Sequence, residues 1–321
     1  MERVRIDGDY AIEAQALSRR FGDFVAVDGI DLQVERGGIY GFLGPNGAGK
    51  STTCRMLCTL TAPTGGRAFV AGFDLAADPD AVRLRIGAVL QATALDLQQT
   101  GAELVRQQGR YYGLSRRDVD ARLGELRGLI DIGDALDQRI KTYSGGMKRR
   151  VDLAAALIHN PEVLFLDEPT TGLDPLSRSK VWDEVRRLNT ELGTTIFLTT
   201  QYLEEADALA GRVAIIDRGT IVAEGSPAGL KRAIGADIVS VVVDDPNAAA
   251  VTVGSVPGVD SVETRGDEVL AATSDGPGTV SPVAVALAGA GIRVRALTLR
   301  EPTLDDVFLT MTGHHLREDA A

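Results

Sequence analysis

Gly44-Pro45-Asn46-Gly47-Ala48-Gly49-Lys50-Ser51 follows the short apolar run Ile39 to Leu43 and opens onto Lys50 to Leu60, a stretch of helical character. A strand, a glycine-rich loop and a helix in that order form an anion cradle. The glycines let backbone N–H groups curl around a phosphate, and the helix start turns its positive end toward it. Lys50 adds a point charge for the outer phosphates, and Ser51, followed by Thr52, offers a hydroxyl to a magnesium shell. This stretch predicts an α/β core built around a polyphosphate.

Working outward, Tyr10 to Leu17, Phe24 to Asp28 and Ile30 to Val34 alternate apolar and polar residues, the pattern of half-buried antiparallel strands. They predict an antiparallel β subdomain beside the phosphate loop. From Gln91 to Tyr143 the pattern is helical, as in Asp118 to Leu129, with a break at Gly133, so a helical subdomain is inserted at about 91–150. Val163 to Leu166 and Thr195 to Thr200 each follow a helical stretch, which is the grammar of a parallel sheet covered on both faces. Arg212 to Asp217 and Thr220 to Ala223 flank Arg218-Gly219 as a closing hairpin, and the first domain is expected to end near Gly235.

Beyond that point, Ile238 to Val243, Val259 to Thr264, Glu268 to Ala272 and Ile292 to Leu299 read as strands, with Ala248 to Val253 and Pro282 to Ala290 as helices. The βαββαβ order predicts a small α+β ferredoxin-like domain over 236–313. Its last piece, Thr303 to Thr312, places Leu304, Val307, Phe308 and Met311 on one helical face, and a loose tail is expected at 314–321.

Asp167 and Glu168 end the apolar run Val163 to Leu166, so a strand delivers two carboxylates to the sheet edge where the glycine loop also lies. Asp167 suits Mg²⁺, directly or through water, and Glu168 suits an attacking water. A phosphate loop with an acidic strand end is common to many nucleotide-processing enzymes, and it establishes nucleotide chemistry only. Tyr143-Ser144-Gly145-Gly146-Met147 discriminates among them. It precedes Lys148 to Ile158, a helix with a serine near its start and two glycines that permit an anion to approach. The chain thus has a second phosphate site without a second phosphate loop.

At this point the sequence resembles the ABC ATPase family, whose signature Leu-Ser-Gly-Gly-Gln has its centre intact here, with Tyr143 and Met147 at the ends. The resemblance spans about Leu17 to Gly225. It implies a P-loop NTPase fold that binds ATP with Mg²⁺, and it assigns Phe21 to adenine stacking, Gln91 to magnesium and subunit coupling, and Gly172-Leu173-Asp174 to the opposite subunit. It also implies that Ser144, Gly145 and Gly146 complete the ATP site of a second ATP-binding subunit, so that one cassette pairs with itself or a relative. Hydrolysis would then be coupled to a separate transmembrane permease.

The family has a histidine that contacts the γ-phosphate where Thr199-Thr200-Gln201-Tyr202 places Gln201. An amide can donate to the phosphate but cannot exchange a proton, so slow but genuine hydrolysis is expected. His159 follows the signature helix, and the pair His314 and His315 reads as solvent-exposed tail residues, not a metal site. Together with the ending Glu301 to Leu309, Gln201 resembles the daunorubicin/doxorubicin-resistance type of exporter ATP-binding subunit. That resemblance implies efflux of a hydrophobic drug, antibiotic or lipid handled by the permease, and a C-terminal extension that contributes to subunit association. A soluble ABC ATPase of ribosomes or DNA and an ATP-gated regulatory subunit are the alternatives.

Bulk properties agree with these readings. A chain of 321 residues accommodates a large domain followed by a small one. The net charge of −11 offers no electrostatic footprint for nucleic acid. Cys54 and Cys58, one helical turn apart, suit buried packing better than a disulfide or metal. The charged opening from Met1 to Tyr10 predicts no signal peptide, and the uncharged run Gly276 to Ile292 is interrupted by Pro277, Gly278, Pro282, Gly289 and Gly291. The expected location is the cytoplasmic face of the membrane, reached through the permease.

Overall fold

The computed structural model describes residues 8–91, 95–130, 133–235 and 237–312. The expected tail at 314–321, the pair His314/His315 and the opening Met1 to Asp7 lie outside them. The chain forms two compact units, one reaching to Pro227 and the other beginning at Ala228.

The first unit starts with β1 (Tyr10–Phe21), β2 (Phe24–Glu35), β3 (Ile39–Leu43), α1 (Lys50–Leu57), β4 (Gly65–Val70), β5 (Phe73–Asp74), α2 (Pro79–Arg83) and β6 (Ile86–Val89). Helices α3 (Gly101–Tyr111), α4 (Arg116–Leu129) and α5 (Gly145–Leu157) follow. Then come β7 (Val163–Asp167), α6 (Pro175–Leu192), β8 (Thr195–Thr200), α7 (Leu203–Leu209), β9 (Arg212–Asp217) and β10 (Thr220–Gly225). Strands β2-β1-β4-β5 make the antiparallel sheet, and β10-β9-β3-β8-β7-β6 make the core sheet, parallel except for β10 at its edge. Every residue of β7 and β8 is buried, as a sheet covered on both faces requires.

Two features of the antiparallel sheet depart from the expected strands. Phe24 to Asp28 and Ile30 to Val34 join into one strand through Gly29, whose φ of +63° only glycine adopts readily, and β1 continues past Leu17 to Phe21. Register shifts between Ala14 and Arg19 absorb the irregularity, so the alternation breaks in sequence while the pairing carries on.

The core of the sheet is aromatic. The Phe197 ring lies 5.5 Å from Phe42, 5.6 Å from Phe165 and 5.8 Å from Tyr40, and the three phenylalanines are fully buried. Phe197→Ala removes the centre of that cluster, and we expect it to cost about 3–5 kcal/mol of stability, read as a lowered urea midpoint.

The chain leaves the core sheet through α8 (Pro227–Ile234). The second unit contains β11 (Asp237–Val243), α9 (Pro246–Gly254), β12 (Val259–Arg265), β13 (Glu268–Thr273), α10 (Gly276–Gly289), β14 (Val294–Arg300) and α11 (Leu304–Thr312). Its antiparallel sheet has the order β12-β13-β11-β14, the ferredoxin-like arrangement expected from βαββαβ. Helix α10 corrects one reading: Pro277, Gly278 and Pro282 are inside it and do not interrupt it. Asp275 caps the helix by accepting the Gly278 N–H at 3.0 Å. Pro277 occupies the first turn, where no N–H is needed. In α11, Leu304, Val307 and Phe308 are buried, whereas Met311 is exposed. Among the described residues, no helix is long and apolar enough to cross a membrane.

Candidate functional site

Strand order brings the site together. Strand β8 lies between β3 and β7, pairing Leu43 with Thr200 and Asp167 with Thr199. The glycine loop after β3, the two carboxylates after β7 and Gln201 after β8 therefore emerge at the same edge.

The loop's glycines are demanded by close approach. A Cβ on Gly44 would meet the Ile216 carbonyl oxygen at 2.3 Å; one on Gly49, where φ is +109°, would meet the Ala26 oxygen at 2.5 Å. Gly47 also has positive φ. Pro45 and Ala48 are buried, and the Ala48 N–H closes a tight turn on the Pro45 oxygen at 3.3 Å. Asn46 is exposed at the tip.

Lys50 begins α1 and is only 4% exposed. Its Nζ donates to the carbonyls of Gly44 at 2.8 Å and Pro45 at 3.0 Å, and it lies 3.4 Å from Glu168 Oε1. Burial pushes the lysine pKa below its ordinary value, while the charges of Glu168 and Asp167 oppose that shift.

Asp167 Oδ1 accepts from Ser51 Oγ at 3.1 Å and from Thr199 Oγ1 at 2.5 Å. Glu168 follows in the left-handed region at φ +50°, pinned by its N–H to the Thr199 carbonyl at 3.0 Å and to Thr199 Oγ1 at 3.2 Å. Non-glycine residues held there are strained, and the strain turns this side chain toward the loop. Its Oε2 accepts from Gln91 Nε2 at 3.1 Å and from Thr171 Oγ1 at 3.2 Å. Ser51 and Asp167 in contact, with Gln91 and Glu168 beside them, give a set of hard oxygen donors that fits Mg²⁺.

A cavity of about 280 Å³ opens over these groups, lined by Asn46, Gly47, Gly49, Lys50, Ser51, Thr52, Gln91 and Glu168 together with Phe24 and Ala26. Phe21 does not line it. The turn Gly22-Asp23 pairs Phe21 with Phe24, but the Arg19 guanidinium lies 4.4 Å from the centre of the Phe21 ring, and Phe24 faces the cavity. Phe24, Thr171 and Thr199 carry no motif and were missed by sequence reasoning; two phenylalanines flanking Gly-Asp were the only signal for the first of them.

Ser144, Gly145 and Gly146 are not brought to this cavity. Ser144 caps α5, accepting the Met147 N–H at 3.3 Å, so the helix starts at Gly145, ahead of the expected Lys148. Asp174 is exposed and caps α6 through the Ser177 N–H at 3.0 Å and hydroxyl at 2.6 Å, bonds that lower its pKa. Gln201 is half-buried at the end of β8 and does not line the cavity either. His159 is no substitute for a histidine there: its ring stacks on Tyr112 at 3.5 Å, and burial lowers its pKa to about 4.

Comparison with known proteins agrees with this geometry. Residues 27–171 match the ABC transporter family and residues 225–312 match the C-terminal domain of DrrA1-3-like ATP-binding proteins. The chain is 46% identical to the daunorubicin resistance ATP-binding protein DrrA2 of Streptomyces coeruleorubidus, covering 98% of this chain and 99% of that one. It is 38% identical to the Nod factor export ATP-binding protein I of Sinorhizobium fredii, covering 98% and 89%. Among solved structures, cbiO1 of Clostridium perfringens, part of the ABC transporter complex cbiONQ, superposes with a TM-score of 0.65 at 27% identity, covering 71% of this chain and 94% of that one. With that fold, that nucleotide cradle and relatives matched over nearly its full length, the chain belongs to the ABC transporter family, as an ATP-hydrolysing subunit of an exporter with a DrrA-like C-terminal domain.

Proposed function

We propose that residues 1–235 bind and hydrolyse MgATP as half of a symmetric pair, that residues 236–313 form an accessory domain, and that the pair drives export of a small hydrophobic compound through a separate membrane subunit. The observation that carries this reading is the convergence of Lys50, Gln91 and Glu168 beside the Ser51–Asp167 pair.

In this mechanism the loop from Gly44 to Thr52 wraps the phosphates, and Lys50 exchanges its carbonyl partners for their oxygens. Ser51, Asp167 and Gln91 would hold Mg²⁺, which when bound neutralises phosphate charge. Glu168 orients and polarises the attacking water, and the Gln201 amide donates to the γ-phosphate. Phe21 or its partner Phe24 stacks on adenine. Ser144, Gly145 and Gly146 of one chain, with Asp174, close over the nucleotide of a second copy. ATP bound between the two chains stabilises the closed pair, and loss of the γ-phosphate releases it. The membrane subunit engages the surface beyond Gln91 and holds the chain at the cytoplasmic face.

Relatives named for daunorubicin and doxorubicin resistance and for Nod factor export support a drug, antibiotic or lipid as the cargo. The test is drug retention in cells that carry this chain with its membrane subunit: native protein lowers retention, and Glu168→Gln restores it. Equal retention with both would remove the transport reading.

Gln201 gives a separate expectation. Gln201→His supplies a side chain that can share a proton with the γ-phosphate, and we expect kcat to rise about three- to tenfold with little change in KM. Steady-state phosphate release measures it, and an unchanged kcat would remove Gln201 from the site.

A further inference from the structure

We propose that Arg149 is a positioning residue that ties Ser144 to the carboxylate end of its own chain, so that the serine offered to a second copy moves with Asp167 and Gln91. The proposal rests on the paired-chain reading above.

Arg149 sits on α5, just beyond the turn capped by Ser144. Its guanidinium forks between two strand ends: Nη1 donates to the carbonyl of Leu90 at 2.8 Å, and Nη2 to the carbonyl of Asp167 at 3.2 Å. Leu90 directly precedes Gln91, and β6 and β7 are neighbours, with Val89 beside Leu166. One side chain thus grips the residue before Gln91 and the residue before Glu168. A planar guanidinium can span two carbonyls in this way; an ammonium concentrates its charge at one point.

The group is not a solvated helix arginine. Arg149 is half-buried, and this burial lowers its pKa, opposed by the charges of Asp152, Asp167 and Glu205, so the carbonyl partners replace part of its hydration. The next residue, Arg150, pairs with Glu184 of α6 at 2.6 Å, so α5 is held on two sides by adjacent arginines. It is Arg149 whose side chain bonds to the strand-end carbonyls beside Gln91 and Glu168. A shift of either strand end is therefore handed to α5 and to the serine at its start.

The test uses the full-length chain and MgATP. Arg149→Met keeps an unbranched, flexible stem on α5 and removes the guanidinium with both of its bonds. We expect kcat for ATP hydrolysis to fall about tenfold, the Kd for MgATP to stay within about threefold, and Arg149→Lys to recover part of the loss. An unchanged kcat, or a Kd that rises in step with the fall in kcat, would overturn the proposal.

Mixing then locates the effect. Glu168→Gln chains and Ser144→Ala chains are each expected to be nearly inactive alone; mixed, they recover activity at the site made of a native Glu168 and a native Ser144. Adding Arg149→Met to the Glu168→Gln chain, whose own site is already silent, should lower the recovered rate about tenfold. Recovery unaffected by that addition overturns the role of Arg149 and leaves the paired site standing. Failure of the first mixture to recover activity overturns the paired site itself, and the proposal with it.

Discussion

Glu168→Gln is expected to bind MgATP as tightly as the native chain while hydrolysing it about a hundred- to ten-thousandfold more slowly. The substitution preserves shape, the backbone bonds to Thr199 and a contact with Thr171. It removes the negative charge that polarises water. Lys50 keeps its bonds to the carbonyls of Gly44 and Pro45, so the phosphate cradle survives. Without nucleotide, however, the variant leaves the buried Lys50 cation without its carboxylate at 3.4 Å. Its thermal midpoint should therefore fall relative to the native chain and recover when ATP phosphates replace the missing charge. Fluorescent-nucleotide titration, phosphate release and thermal melts measure the three parts of this expectation. Weakened binding in proportion to lost turnover would assign Glu168 to the phosphates instead of the water.

Lys50→Ala is expected to act on binding first. Nζ is the cation nearest the loop carbonyls, and a charged hydrogen bond to a phosphate is worth about 1.5–3 kcal/mol, so the Kd for MgATP should rise about ten- to a hundredfold. The Gly44 and Pro45 carbonyls lose their donor and Glu168 loses its partner, so the nucleotide-free protein is destabilised as well. Titration at increasing ATP separates the effects: a binding defect is overcome by concentration, a misfolded chain is not. An unchanged Kd would place the phosphates away from Lys50.

The parts of this site that a local constraint dictates are legible in the sequence. Gly44 and Gly49 announce themselves because any Cβ there would strike a backbone oxygen, and Asp167-Glu168 because two adjacent carboxylates close the otherwise apolar run Val163 to Leu166. The βαββαβ order of the second unit is legible for the same reason, since each strand and helix has its own periodicity. What register and tertiary packing decide is not. Phe21 and Phe24 are equivalent aromatics in the sequence, and only the pairing across Gly22-Asp23 and the position of Arg19 separate them. Thr199 reaches Asp167 because β7 and β8 are in register, and Arg149 reaches Leu90 and Asp167 because three distant elements meet. Pro282 reads as a breaker until the helix that contains it is capped at Asp275.

The most direct test of a site built from two chains is the sedimentation mass of Glu168→Gln in MgATP. The expected result is a species of twice the chain mass with one ATP per chain, reverting to single chains when Ser144 is also changed to Arg. A single chain saturated with ATP, or a pair indifferent to Ser144→Arg, would contradict it.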